Sequence, residues 1–265
     1  MSHDPTPYDE PTPDEMQTFL PNSRVRWGWR DALLGLGAFI LSLVLGVVVL
    51  VPLRIDVNEV DAVGTFSFAS AVISYAAIVA VVVLASRRKG LGTLAADFGL
   101  RFRPSDILLG LGLGIAAKVF AFVLTVVAVS VTNHTPESGN FELSTSPLWI
   151  VLNGFVVAAV IAPVVEELFF RGLVLRAANN RVLRRGGTAA RAVTTAIVAS
   201  SLSFAALHLY QSPDVTLLII LGGSTLFIGV VNSRVTLRTG RLGAAIIAHA
   251  LYNGSSVVFA LLQGS

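Results

Sequence analysis

Two adjacent glutamates, Glu166 and Glu167, stand in an apolar run that reads APVVEELFFR, with Arg171 four residues after the second. Neighbouring carboxylates repel each other. On a helix Arg171 shares a face with Glu167 and relieves it, while Glu166 points about 100° around the axis. Such unequal surroundings let one acid work as a general base while its ion-paired neighbour stays ionised. Further on, His208 follows Phe204 by four residues, and Asn253 follows His249 by four. His249 and Asn253 therefore project from one helical face, a donor/acceptor pair able to bind a carbonyl oxygen or to share a metal. General-base work and the binding of a carbonyl oxygen or a metal are the chemistry these residue types could do.

These residues must be held by helices that cross a membrane. Of 265 residues, 54% are hydrophobic and 13% charged, with a mean hydropathy of +0.76. A soluble domain has roughly 25% charged residues, so a water-soluble globule is excluded. Runs free of Asp, Glu, Lys and Arg cover 32–53, 62–86, 144–165 and 215–233. Each is near or above the ~18 residues of a membrane-spanning helix. Segments 107–131, 192–209 and 242–262 qualify with one interruption each, Lys118, His208 and His249. The expected fold is all-α: a polytopic membrane protein of about seven transmembrane helices around an intramembrane polar site. Seven spans use about 140 positions and leave no room for a separate soluble domain.

The first 23 residues are rich in Pro, Asp and Glu, lack apolar periodicity and read as a disordered cytoplasmic tail, not as a signal peptide. The membrane domain is expected over 24–265, with its catalytic core at about 144–262. Nearly all Lys and Arg fall on one side if the N-terminus is cytoplasmic, in groups around Arg24–Arg30, Arg87–Arg103, Arg171–Arg191 and Arg234–Arg241. Arg54 falls on the other side with Asp56, Glu59, Asp61, Glu137, Glu142 and Asp214, as the positive-inside rule predicts. That asymmetry explains the pI of about 9.7 without nucleic acid as a partner. Trp27, Trp29 and Trp149 are expected at membrane boundaries, ring buried and N–H wet. Gly110 and Gly114 have the small-xxx-small spacing of close helix packing and lack the context of a phosphate loop. With no cysteine, disulfides, thiolate metal sites and a cysteine nucleophile are excluded.

A charge within a bilayer costs at least ~2.5–3.5 kcal/mol, so each such residue needs a partner or a task. Bland readings exist for all of them. Glu166, Glu167 and Arg171 can form a structural ion pair or a helix end reaching water. His208 can hydrogen-bond a carbonyl in the core, and His249 with Asn253 can join helices. Lys118 can snorkel or pair with a glutamate, and Tyr75, Asn153 and Asn232 read as packing or helix-helix glue.

In this order on successive spans, Glu166-Glu167-x-x-x-Arg171, Phe204-x-x-x-His208 and His249-x-x-x-Asn253 resemble the CAAX protease and bacteriocin-processing family, also called ABI or CPBP. The resemblance runs from about Arg87 to the C-terminus and includes Phe98-Gly99-Leu100-Arg101 before the third span. It implies intramembrane endoproteolysis; eukaryotic members remove the C-terminal tripeptide of prenylated CAAX proteins. It also implies that Glu166, with His208, activates water, that Glu167 and Arg171 support it, and that His249 and Asn253 bind the oxyanion. Removing one oxyanion donor typically costs ~100- to 1,000-fold in rate.

The family is often labelled a metalloprotease. Glu166, His208 and His249 could supply three ligands to zinc with water in the fourth place, and whether a metal takes part stays open. No HExxH helix is present, and a glutamate-activated, metal-free water is preferred. Seventeen arginines against two lysines point to a GC-rich bacterium and hence to a bacterial plasma membrane. A membrane-associated protein or peptide is then the substrate class. The alternatives are a non-catalytic bacteriocin-immunity or scaffolding protein, and a small transporter with carboxylate proton relays, against which the lack of inverted repeats counts. One geometric problem remains. If the fifth span began at Ala192, His208 would lie ~24 Å along it, near the outer face and away from Glu166 and His249. Extension of the fourth and fifth helices, or tilt, must bring them level.

Overall fold

In the computed structural model, residues 24–50, 60–136, 146–209 and 214–263 are described. The expected tail at 1–23, and Arg54, Asp56, Glu59, Glu137 and Glu142, lie outside them. The described residues are helical, without strands. They form α1 (Trp29–Leu50), α2 (Val60–Lys89), the short α3 (Leu94–Phe98), α4 (Pro104–Thr132), α5 (Pro147–Arg184), α6 (Ala189–Ala206), α7 (Val215–Thr239) and α8 (Gly243–Gln263). Six are long and apolar enough to cross a membrane, and α8 adds a shorter apolar stretch, Gly243–Phe259. The chain is a multi-pass membrane protein of about seven helices.

Its outer surface is apolar. Leu108 is 79% exposed, Val131 74% and Phe122 69%, side chains that only a lipid environment solvates favourably. The interior carries the polar groups. Local chemistry sets the helix ends: Thr93, Thr188 and Asp214 cap α3, α6 and α7 by accepting a first-turn N–H. Pro104 and Pro147 open α4 and α5, where a missing N–H costs nothing. Gly240 stops α7 at φ 70°, a conformation glycine adopts without a Cβ penalty.

Helix α5 is the axis of the molecule, packed against α1, α2, α3, α6, α7 and α8. Residues 167–180 are buried without a break. Two stretches of α5, Ile150–Ile161 and Leu168–Val174, are wound more widely, so that Ala162 N–H bonds Val157 O and Leu175 N–H bonds Phe170 O. Pro163, which has no N–H to donate, sits beside the first. The six residues between them, Ala162–Glu167, end on the two glutamates.

The length of α5 resolves the question of level. At 1.5 Å per residue its 38 residues would run about 57 Å, and even with the smaller rise of the two wider stretches the helix extends well past a hydrocarbon core of about 30 Å. Helix α6 starts at Ala189, close to the end of α5. Glu166 is 18 residues before Arg184 and His208 is 19 after Ala189, so both lie about 27–29 Å from the α5–α6 turn. A second pin acts on the other pair of helices. Buried Arg176 donates from Nη2 to Gly240 O at 3.0 Å, which sets the α7–α8 turn level with Arg176. Nine residues back along α5 is Glu167, and nine on from Gly240 is His249. The helices are extended, as the counting required.

Gly110 and Gly114 are both buried against α8. A Cβ at Gly110 would fall 2.6 Å from Ile247 Cβ, and one at Gly114 would fall 2.9 Å from Ala248 O. The tryptophans depart from expectation. Trp27 is 3% exposed and its N–H donates to Asp97 Oδ1 at 2.8 Å, so this indole is a protein cross-link and not a wet boundary anchor. Trp149 is buried too, against Gly64.

Candidate active site

Glu167 is fully buried, and its Oε1 accepts from three helices at once: Arg171 Nη1 of α5 at 3.0 Å, Asn232 Nδ2 of α7 at 3.0 Å and His249 Nδ1 of α8 at 2.9 Å. Arg171 is also fully buried, with its guanidinium 4.4 Å from the centre of the Phe204 ring. Charge-assisted bonds and a cation–π contact thus offset the cost of enclosing both ions. The i to i+4 pair expected from the spacing is present.

Glu166 occupies the separate environment that its angular offset requires. Its Oε1 accepts from Tyr75 Oη of α2 at 2.8 Å. Its Oε2 is buried, takes no hydrogen bond from any described protein group, and faces His249 Nε2 at 3.8 Å. Because Glu167 can only accept, His249 Nδ1 carries the proton in the neutral ring and Nε2 presents a lone pair toward Glu166.

His208 lies just beyond the last turn of α6, half-buried, with Nδ1 2.8 Å from Phe204 O. A carbonyl cannot donate, so Nδ1 holds the proton and Nε2 is the free acceptor. Phe204 stands between the two histidines, its ring centre 4.6 Å from that of His208 and 5.5 Å from that of His249. Asn253 donates from Nδ2 to Ala158 O of α5 at 2.8 Å, leaving one N–H and the carbonyl oxygen of its amide.

Several expectations change here. Asn232 is glue between helices, as expected, since it also bonds Ala245 O at 3.1 Å, but it is at the same time a ligand of Glu167. Tyr75 holds Glu166 and is more than packing. Both are uncharged polar residues in apolar spans, and that was the available signal. Asn153 bonds Gly64 O at 3.1 Å and joins α5 to α2. Lys118 pairs with neither glutamate; its ammonium bonds Ser256 Oγ and lies 4.3 Å over the Tyr252 ring. The zinc set Glu166, His208 and His249 is not formed, since no group of three or more His, Cys, Asp or Glu among the described residues is gathered to hold a metal. His249 and His208 each hold Nδ1 on a protein acceptor and present Nε2.

Residues 147–255 match the family model described as Type II CAAX prenyl endopeptidase Rce1-like. The match covers less than half of the chain and says what this segment is similar to. The Rce1-like segment carries all three motifs, and the match supports a protease at the family level. Tyr75, which touches Glu166, lies outside it on α2. No curated protein and no solved structure matches the chain.

Proposed function

We propose that this protein is an intramembrane endopeptidase that hydrolyses a peptide bond of a membrane-associated protein or peptide. One observation carries the reading: Glu166 Oε2 is a buried carboxylate oxygen without a donor among the described residues, 3.8 Å from His249 Nε2. A water at the apex of that pair touches both groups. Glu166 takes the proton from this water as its oxygen attacks the carbonyl carbon, and returns a proton to the departing amine as the intermediate collapses. His208 Nε2, the second free imidazole acceptor, assists that transfer. The remaining N–H of Asn253, and His249 when Nε2 is protonated, face the developing oxyanion. Glu167 and Arg171 touch no reacting atom and position the His249 ring.

The catalytic core is 144–262, in a bacterial plasma membrane with the N-terminus cytoplasmic. Positive charge gathered in the 24–30, 87–103, 181–191 and 234–241 segments supports that orientation. The test is cleavage of a membrane-tethered peptide by purified protein, with and without chelator, beside Glu166→Gln. Cleavage that persists in chelator and is lost in the variant is expected. Equal cleavage by a folded Glu166→Gln, or no cleavage by the wild type together with an unchanged cellular phenotype of the variant, assigns these residues to a non-catalytic scaffold.

A further inference from the structure

Away from the glutamates, at the turn joining α5 to α6, the chain forms a half-open cavity of about 480 Å³. It is lined by Arg181 of α5, Arg185 just past the end of α5, Arg191 of α6 and Trp29 of α1. No carboxylate lines it. Among the described residues no acid forms an ion pair with any of these three arginines. A structural explanation is available for a fourth: Arg184 donates to Val25 O at 2.7 Å and ties the end of α5 to the segment before α1. Arg181, Arg185 and Arg191 are exposed and converge on space instead of protein. The remaining wall is aliphatic, from Ala178, Val182 and Ala199. Further along the same two helices, Val198 and Leu202 of α6 and Leu33 and Leu34 of α1 are exposed apolar side chains.

We propose that this cavity binds an anionic phospholipid, its headgroup phosphate among Arg181, Arg185 and Arg191 and its acyl chains on the aliphatic faces of α6 and α1. Planar guanidiniums suit a phosphate, and three of them concentrate positive charge that no acid among the described residues neutralises. The volume falls in the ~300–1,000 Å³ range of small-molecule sites. Trp29 at the start of a span is the residue type that seats at headgroup level. A free phosphate meets the arginines but gains nothing from the aliphatic wall, and a zwitterionic lipid brings its own cation to a site already cationic. Basic pockets between spans select anionic headgroups for these reasons.

The test uses the purified full chain in neutral detergent, with Tm followed against short-chain phosphatidylglycerol, short-chain phosphatidylcholine and inorganic phosphate. Phosphatidylglycerol is expected to raise Tm saturably, by linkage of binding to the folded state, and the other two are not. The triple variant Arg181→Gln/Arg185→Gln/Arg191→Gln is expected to bind at least about tenfold more weakly. Thr195→Trp, at an exposed lining position, fills the cavity without changing charge and is expected to lose the response as well. Arg87→Gln/Arg88→Gln, elsewhere on the same predicted face, is expected to keep it. Retention of the wild-type response by either cavity variant overturns the proposal, as does an equal response to phosphate or phosphatidylcholine, or an equal loss in Arg87→Gln/Arg88→Gln. Should the triple variant not fold, Thr195→Trp decides alone. The readout is binding, so the result stands apart from any peptidase activity.

Discussion

His249 faces Glu166 across 3.8 Å with one ring nitrogen while the other is held by Glu167 at 2.9 Å. Two adjacent acids thus receive different tasks through one imidazole. Glu167 fixes the tautomer and the ring plane, and Glu166 keeps an oxygen for another partner. Glu166→Gln removes the general base and preserves shape. Its cleavage rate is expected to fall by about 100- to 10,000-fold with Tm little changed. Peptide turnover and thermal unfolding of the same preparation give both numbers.

Tyr75 donates to Glu166 Oε1 at 2.8 Å from α2, a helix outside the matched segment 147–255. Bonds to charged groups are worth about 1.5–3 kcal/mol, so Tyr75→Phe is expected to lower kcat roughly tenfold or more by freeing the carboxylate to rotate. KM is expected to stay near wild type, because Tyr75 is assigned to the acid and not to substrate. A rise in KM at constant kcat would instead place the hydroxyl in substrate binding.

The hub at Glu167 Oε1 predicts non-additive stability. Arg171→Met leaves a buried carboxylate without its cation and is expected to cost about 3–5 kcal/mol. The double variant Arg171→Met/Glu167→Gln is expected to recover a large part of that loss, since no lone buried charge remains. Asn232→Leu removes one donor to Glu167 and one to Ala245 O and is expected to cost about 1–3 kcal/mol. Denaturant unfolding in mixed micelles reads all three, and strict additivity of the double variant contradicts the coupling.

Close packing of α4 on α8 predicts that Gly110→Val is damaging although it is apolar. A Cβ there would already crowd Ile247 and Ala244 O, so the helices must separate. Gly112 on the same helix has nothing within 4 Å of a built Cβ, and Gly112→Val is the matched control. Lower Tm and lower cleavage are expected for the first only, because α8 also carries His249 and Asn253.

At the opposite end of the molecule Asp214 caps α7. The Leu217 amide, at 2.7 Å, and then His134, at 2.8 Å, hold its carboxyl below the ordinary value of 3.8. A depressed carboxyl contributes stability above its unfolded pKa and loses it as pH falls through the folded one. Asp214→Asn is therefore expected to be less stable than wild type above about pH 4, with the gap closing on acidification below it. A gap in Tm that is constant from pH 7 to pH 3 would show that ionisation of Asp214 contributes nothing.

The all-helical, multi-pass architecture was legible in the sequence because hydropathy over about 20 residues is a local property. So were Glu167 with Arg171 and the shared face of His249 and Asn253, since i to i+4 geometry needs only one helix. That α5 must extend or tilt could be counted, but which of the two occurs and where the helix ends could not. Hydropathy counts Arg171 and Arg176 as residues that end a span, yet both are fully buried, one against Glu167 and the other against Gly240 O. The partners Tyr75 and Asn232, and the bond from Lys118 to Ser256, were equally beyond reach. Periodicity tells which face of a helix a side chain occupies, whereas the neighbour it meets depends on how helices far apart in the chain are rotated and registered against one another. Packing set that rotation and register, and with them which acid was neutralised and which was left an open oxygen.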